Sequence, residues 1–214
     1  MKISVSVLFL MLFASACVQQ PQLPVIDHIA LEKSTLKVEV LAKNLDVPWD
    51  IDYADDGYLW VAEQGGNVSR IDLQTGIRKQ MLAIKEVWRK RTAGLLGMVV
   101  HPDFKNKPYV FVNYTLKKDS LIFNHLVRYE FKQDTLVNAK LLLKVNGFTA
   151  HNGSRLAIGA DGKLLWATGD AYNGENAQNL NSLNGKILRL NIDGTIPADN
   201  PYPNSYVWAR GFRN

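Results

Sequence analysis

Short stretches in which apolar and polar residues alternate run through the chain beyond residue 40. Residues 58–62, 109–114 and 186–190 are rich in β-branched and aromatic side chains and are bounded by Gly, Asp or Asn. A period of two places every second side chain on the same face, as in a half-buried β-strand. Only residues 81–90 offer a candidate helix. The pattern predicts an all-β protein.

One layout occurs three times: an apolar strand, a turn that contains Asp, and a second apolar strand. The three copies occupy residues 49–62, 97–112 and 155–167. Asp-Gly between two apolar runs predicts a hairpin in the first and third copies, because Gly adopts the positive φ that a tight turn needs. The three turns, at Asp55, Asp103 and Asp161, are 48 and 58 residues apart along the chain.

A repeat of about 50 residues built from short strands is typical of β-propeller blades, which usually number four to eight. The residues that follow the N-terminal region provide three to four blades. The chain stops at Arg210-Gly211-Phe212-Arg213-Asn214 without an evident strand to complete a blade. We therefore expect an incomplete propeller, and a fragment of a longer protein.

The N-terminus has the layout of an export signal. Lys2 precedes an apolar run at residues 5–13, which is too short to span a bilayer. Ala-Ser-Ala-Cys at 14–17 resembles a bacterial lipobox, although Ala14 stands where Leu is more usual. Residues 1–17 are thus predicted to be a lipoprotein signal with lipidation at Cys17, and the alternative is an ordinary cleaved signal with Cys17 near the cut by chance.

Three segments follow from this layout. The signal at residues 1–17 is followed by a predicted linker at 18–38, which contains two prolines and several polar residues. Residues 39–214 form the propeller part. The predicted location is the periplasmic side of a bacterial membrane, with the outer membrane as the anchoring site and the lipid anchor as the only membrane contact.

The amino-acid composition limits the classes of protein to which the chain can belong. The 214 residues are 47% hydrophobic, 10% aromatic and 21% charged, as in a packed globular protein. The net charge of +5 is mild, and the one basic cluster, at residues 85–91, has no interleaved stacking aromatics, so no nucleic-acid partner is expected. Because Cys17 is the only cysteine, stability must come from the core or from bound metal.

Signatures of other enzyme classes are missing from the sequence. It contains no G-x-G-x-x-G after a strand, no phosphate-binding P-loop motif, no G-x-S-x-G elbow and no H-E-x-x-H. A calcium loop of the EF-hand type is missing too, and Asp50-x-Asp52 comes nearest to one. These missing motifs argue against a nicotinamide-dependent enzyme, a nucleotide hydrolase, a serine esterase and a zinc enzyme.

Several short motifs stand together in one order along the propeller part. They are Gly94-Leu95-Leu96-Gly97, His101-Pro102-Asp103-Phe104, His151-x-x-x-Arg155-Leu156, Thr168-Gly169-Asp170, Gly185-Lys186-Ile187-Leu188-Arg189-Leu190-Asn191, Asp193-Gly194-Thr195-Ile196-Pro197 and Gly211-Phe212-Arg213-Asn214. As an ordered set they resemble the soluble quinoprotein glucose/sorbosone dehydrogenases, also called aldose sugar dehydrogenases. The resemblance covers residues from about 40 to 214, which correspond to the N-terminal half of such an enzyme.

The resemblance implies a six-bladed propeller, the cofactor pyrroloquinoline quinone (PQQ), and Ca²⁺ whose ligands lie beyond Asn214. No metal ligand is assigned within the sequence. An aldose would be the substrate, and an external acceptor would remove the electrons.

The resemblance also assigns roles to four residues. His151 matches the family's general base, and a histidine suits proton removal near neutral pH. Asp170 matches the carboxylate that orients this histidine and stabilises its protonated form. Arg213 and Asn214 match the residues next to the quinone, where Arg supplies a permanent charge. The alternatives are a packing histidine at His151 and an Asp that merely closes a strand at Asp170.

Other positions depart from the family or stay unassigned. Thr92 replaces the glutamine that contacts substrate in glucose-specific members, so substrate choice is open. His101 is predicted to be structural and Arg155 to have a positional role. Residues without an assignment are Gln64, Asn152 and Tyr172.

Three functions are compatible with the sequence. The first is PQQ-dependent oxidation of an aldose at its anomeric carbon to a lactone, with His151 as base and hydride passing to the quinone. The second is a propeller that binds sugar or protein without turnover. The third is an inactive truncated product.

Overall fold

The computed structural model describes residues 22–214, and strands dominate them, as predicted. The strands are β1 (Val25–Ala30), β2 (Thr35–Glu39), β3 (Pro48–Tyr53), β4 (Tyr58–Glu63), β5 (Asn67–Asp72), β6 (Arg78–Ala83), β7 (Leu95–Val100), β8 (Tyr109–Lys118), β9 (Leu121–Lys132), β10 (Thr135–Asn146), β11 (Gly153–Ile158), β12 (Leu164–Thr168), β13 (Lys186–Leu190) and β14 (Val207–Arg210). A single turn of helix, α1 (Glu175–Gln178), interrupts them.

Three four-stranded sheets follow one another along residues 48–210. Each is antiparallel, and its strands pair in chain order: β3 to β6, β7 to β10, and β11 to β14. Consecutive meanders of four strands are the blades of a β-propeller. The all-β propeller prediction is confirmed, and the described residues contain three blades.

The three repeated segments form the first two strands of each blade. β3 pairs with β4, β7 with β8, and β11 with β12, as the repeated strand-turn-strand layout predicted. In the first and third blades the turn glycines have positive φ: Gly57 at 81° and Gly162 at 72°. These positions need glycine because a β-carbon penalises this backbone region.

Two predictions about individual elements are wrong. Residues 81–90 are not a helix, because 81–83 complete β6 and pair with β5. A strand does lie near residue 210: β14 pairs with β13 and completes the third blade. It is only four residues long, which gives too few positions for an alternating pattern to be recognised.

The stretch predicted as a linker contains regular structure. β1 and β2 pair as an antiparallel two-stranded sheet, separate from the blades, and most of their residues are exposed. The predicted signal peptide and Cys17 lie outside the described residues. Among residues 22–214, none of the helices has the length and apolar character needed to cross a membrane.

Two apolar clusters fill the spaces between neighbouring blades. One joins the first and second blades and includes Trp60, Met81, Leu95, Val112 and Tyr129. The other joins the second and third blades and includes Phe111, Leu126, Trp166, Leu188 and Val207. Because a single blade cannot bury both of its faces, this packing is what makes the blades one unit.

The first strands of the three blades also touch one another. Asp50 on β3 accepts a hydrogen bond from the Met98 amide at 3.0 Å, and Asp52 accepts one from the Val100 amide at 2.7 Å. Burial raises the pKa of Asp50. The pair that came nearest to a calcium motif therefore links two blades through backbone amides.

Gly97 lies at a close approach between the second and third blades. A β-carbon there would lie 1.9 Å from the Ser154 carbonyl oxygen, which is backbone and cannot rotate away. The Gly-Leu-Leu-Gly motif thus contains a packing requirement at its last residue.

We predict that Gly97→Ala lowers the free energy of unfolding by about 3 kcal/mol, because the blades must separate to admit the methyl group. Urea unfolding followed by tryptophan fluorescence measures this loss. Gly174→Ala is the matched control, since nothing lies within 4 Å of its β-carbon position and its φ is −59°. A loss at Gly97 no greater than at Gly174 would contradict the packing described here.

Candidate active site

The register of the third blade brings His151 and Asp170 together. His151 lies two residues before β11, and Asp170 lies two residues after β12. Because the two strands are antiparallel and Gly153 pairs with Thr168, the start of one and the end of the other lie at the same edge. Residues 19 apart in sequence are therefore neighbours.

The two side chains are in hydrogen-bond contact. His151 Nδ1 lies 2.9 Å from Asp170 Oδ1, and the two side chains are 15% and 8% exposed. A carboxylate only accepts hydrogen bonds, so the contact requires the proton of the imidazole to sit on Nδ1. Nε2 of His151 is then left with its lone pair free to accept a proton.

The backbone around the pair is tightly constrained. His151 has φ 56°, in the left-handed region that costs a non-glycine residue about 1–3 kcal/mol. Its carbonyl oxygen accepts a hydrogen bond from the Ala171 amide at 3.0 Å. A β-carbon on Gly169 would lie 2.1 Å from the same oxygen, so Thr-Gly-Asp needs its glycine. These contacts fix the distance between the two loops.

Asp170 is held at its backbone as well as at its carboxylate. Its amide donates to the Arg213 carbonyl oxygen at 2.8 Å, and its own carbonyl accepts from Asn176 Nδ2 at 2.9 Å. Oδ1 accepts a second hydrogen bond, from the Tyr172 amide at 2.9 Å. The carboxylate that faces His151 therefore has little freedom to turn.

The last two residues of the sequence lie at the same edge. Asn214 Oδ1 accepts a hydrogen bond from the Gly153 amide at 3.0 Å, next to the loop of His151. Arg213 contacts Asp170 through its carbonyl, and the residue is exposed. The structure thus brings all four residues singled out by the motifs to one place.

A cleft opens beside this edge, between the first and third blades. Its volume is about 320 Å³. It is lined by Trp49, Thr92, Gly153, Ser154, Arg155, Ala167 and Asn214. Thr92 therefore lines the same cavity as Asn214.

Arg155 spans this region toward the first blade. Its Nη1 donates to Asp50 Oδ1 at 2.7 Å, although 73% of the Arg155 side chain is exposed. The contact joins β11 to β3 over 105 residues of sequence. It accords with the positional role expected of this arginine.

Sequence reasoning missed Lys186, which anchors the loop behind the site. Its side chain is fully buried, and Nζ donates to the carbonyl oxygens of Asn176, Asn184 and Ala177 at 2.6, 2.7 and 3.2 Å. Burial lowers the pKa of its ammonium group. The signal was present: in β13 a period of two places Lys186 on the face of buried Leu188 and Leu190.

The structure also shows different surroundings for the three residues that the sequence left unassigned. Asn152 is buried and brackets Phe148, accepting from its amide and donating to its carbonyl, both at 2.9 Å. Gln64 is buried too and donates to the carbonyls of Arg91 and Ala93. Both have internal bonding roles, whereas Tyr172 lies beside His151 with ring centroids 4.8 Å apart.

His101 lies in the turn between β7 and β8. Its Nδ1 accepts a hydrogen bond from the Asp103 amide at 3.0 Å, and burial lowers the pKa of the imidazole. A neutral ring that closes a turn is in keeping with a structural role. Within residues 22–214, no three His, Cys, Asp or Glu side chains are grouped to hold a metal ion.

Comparisons with known proteins place this geometry in context. Residues 45–214 match the family described as Glucose / Sorbosone dehydrogenase. Quinoprotein glucose dehydrogenase B of Acinetobacter calcoaceticus is 30% identical over 210 residues, which cover 82% of this chain and 44% of that protein. An aldose sugar dehydrogenase of Escherichia coli (strain K12) is 29% identical over 199 residues, covering 85% and 52%.

Solved structures give the same result for the fold. The PQQ-bound form of aldose sugar dehydrogenase from Streptomyces coelicolor matches with a TM-score of 0.76 at 29% identity, covering 83% of this chain and 54% of that chain. The chain therefore spans about half the length of the relatives it matches. The resemblance predicted from the ordered motifs is confirmed.

Proposed function

Because the chain belongs to the glucose/sorbosone dehydrogenase family, we propose that the full-length protein oxidises an aldose at the anomeric carbon to a lactone, with PQQ as cofactor. The supporting observation is the pairing of His151 Nδ1 with Asp170 Oδ1 at 2.9 Å, which leaves Nε2 as a proton acceptor. Relatives named quinoprotein glucose dehydrogenase and aldose sugar dehydrogenase support the reaction class.

The residues at this edge fit a quinone that carries carboxylates. Arg213 is exposed there, and its guanidinium suits an anionic group or a polarised carbonyl. Asn214 is placed by the Gly153 amide beside the cleft. We propose that Arg213 and Asn214 hold the cofactor, which accepts hydride when bound.

His151 would take the proton of the anomeric hydroxyl on Nε2 while the C–H bond of the same carbon loses hydride. The carbon–oxygen bond of the sugar becomes the lactone carbonyl, so the proton and the electron pair are both accounted for. The Asp170 carboxylate stabilises the resulting imidazolium through Nδ1 and keeps the ring orientated. General-base assistance of this kind contributes about 10²- to 10⁴-fold to rate.

Three further proposals follow from the sequence. The protein is exported and anchored by a lipid on Cys17 at the periplasmic side of the outer membrane, which mass spectrometry of the mature N-terminus would test. An external acceptor reoxidises the cofactor. Ca²⁺ accompanies the quinone in our proposal, but residues 22–214 provide no grouped ligands that fit it, and no step here involves it.

A dye-linked assay tests the proposed function. The protein is expressed from its complete reading frame, loaded with PQQ and Ca²⁺, and supplied with aldoses and an artificial electron acceptor. We expect dye reduction that depends on both sugar and quinone. Sugar binding without dye reduction in quinone-loaded protein would favour a non-catalytic propeller and overturn the proposal.

A further inference from the structure

Two aromatic rings stand exposed next to the His151–Asp170 pair. Tyr172 is 62% exposed and Phe148 is 42% exposed. The rings stack on each other, with centroids 5.9 Å apart and an angle of 22° between planes. Tyr172 also lies against the imidazole of His151, so the rings form a continuous surface that leads to the base. We call Phe148 and Tyr172 the aromatic platform.

The backbone beneath the platform is fixed by hydrogen bonds and is partly in an unfavourable conformation. Ala171 and Tyr172 both have positive φ, at 55° and 65°, a conformation unfavourable for a bulky residue. The Tyr172 amide is held by Asp170 Oδ1, the same oxygen that faces His151. Phe148 is held at both its amide and its carbonyl by the buried side chain of Asn152. These contacts hold two exposed rings in fixed positions beside His151, and the backbone of Tyr172 is strained in doing so.

The two rings of the platform differ from six other aromatic rings in having no cation over them. Within residues 22–214, six aromatic rings have a Lys or Arg over them: Tyr58, Trp88, Tyr109, Phe123, Phe131 and Trp208. Neither ring of the platform is covered in this way. The Tyr172 hydroxyl has no hydrogen-bond partner among these described residues.

These features suit a neutral ligand with a C–H face and hydroxyl edges. An aromatic face carries partial negative charge and attracts the weakly positive hydrogens of a saturated ring. The free Tyr172 hydroxyl can donate to or accept from a ligand hydroxyl. A pyranose has both features, because its ring carbons present C–H bonds and its rim presents hydroxyls.

We propose that Tyr172 and Phe148 bind the pyranose ring of the substrate and so determine specificity for cyclic sugars, an inference that rests on the proposed function. Stacking on the platform brings the sugar beside the His151 imidazole. The rings take no part in proton transfer. Their contribution is to binding, and it appears in the Michaelis constant.

The test uses Tyr172→Ala, Phe148→Ala and Tyr172→Phe in protein from the complete reading frame, with D-glucose as the probe. Each alanine variant should raise KM about tenfold, the size of one lost aromatic contact, with kcat within about twofold. Tyr172→Phe keeps the ring and should stay within about threefold of wild type in KM. Tyr53→Ala is the matched control, because Tyr53 is 49% exposed on β3, in a different blade.

Saturation-transfer NMR gives a second readout that needs no turnover. D-glucose should receive saturation from wild-type protein, with and without PQQ, and from the Tyr53 control, but much less from either alanine variant. Sorbitol, which has no ring, should receive little from any of them. If neither wild type nor any variant reduces dye with any aldose, the proposed function fails. The saturation-transfer comparison still decides whether the platform binds sugar.

Three results would overturn the platform. One is unchanged KM and unchanged saturation transfer in both alanine variants. Another is weaker PQQ binding with unaltered sugar binding, since the rings would then stack on the quinone. The third is a shifted pH profile of kcat with unchanged KM, which would mean that Tyr172 covers the His151 imidazole rather than binding the sugar.

Discussion

Replacing His151 with glutamine should reduce sugar-dependent dye reduction by about 10²- to 10⁴-fold in kcat, the usual contribution of a general base. Glutamine is similar in size and can still accept a hydrogen bond, but it cannot take up a proton at neutral pH. The loss should fall on kcat more than on KM, because proton transfer belongs to the chemical step. Steady-state kinetics of the quinone-loaded variant measure it.

PQQ binding and thermal stability show whether the loss is chemical. Both should stay close to wild type in His151→Gln, because the proposed quinone ligands are Arg213 and Asn214. His28→Gln is the matched control, since His28 lies on exposed β1 away from the blades. Activity that survives in His151→Gln, with PQQ bound, would mean that another group removes the proton.

Replacing Asp170 with asparagine should also reduce kcat strongly, by about 10²- to 10⁴-fold, by analogy with the orienting aspartate of catalytic triads. Asparagine can present its amide nitrogen to Nδ1, which favours the tautomer with the proton on Nε2. That tautomer blocks the atom that should accept the sugar's proton. The variant also loses the negative charge that stabilises the imidazolium.

The tautomer can be observed separately from turnover. In wild type, ¹⁵N NMR of the His151 ring should show the proton on Nδ1 and a free Nε2, and in Asp170→Asn the proton should move to Nε2. Asp119→Asn is the control, because Asp119 occupies a β-turn with φ 56° where asparagine is equally suited. A wild-type ring already protonated on Nε2 would contradict the role given to Asp170.

The sequence predicted the first two strands of each blade better than the last strand. The first two strands are apolar runs joined by turns that contain Gly or Asp, so their hairpins could be recognised. β6 has a single buried residue, Met81, and β14 is four residues long, so neither has a pattern that distinguishes a strand. Their strand character comes from pairing with a neighbouring strand, β5 and β13 respectively.

The pairing of His151 with Asp170 was predictable from the sequence, whereas the surroundings of the pair were not. His151 and Asp170 were identified by their place in an ordered set of motifs, and the pairing of Gly153 with Thr168 explains why they meet. Tyr172 gave no signal, because an exposed Tyr after Asp-Ala resembles an ordinary loop residue. Its position depends on left-handed backbone at Ala171 and Tyr172, which sequence patterns do not indicate.

Lys186 shows a different reason for a missed residue. Its neighbours in β13 were correctly predicted to form a strand, and its alternation placed it inward. A lysine is rarely buried, however, and only the three carbonyl oxygens around Nζ make the position tolerable. Two of those carbonyls belong to α1 and the third to Asn184, two residues before Lys186. No local sequence pattern indicates that they surround Nζ.

The most direct test of the central claim is a crystal structure of the complete polypeptide with PQQ and a sugar that reacts slowly. We predict His151 Nε2 within about 3.2 Å of the anomeric oxygen, with Nδ1 still on Asp170. An imidazole turned away from the sugar, or an Asp170 carboxylate that no longer contacts it, would contradict the account.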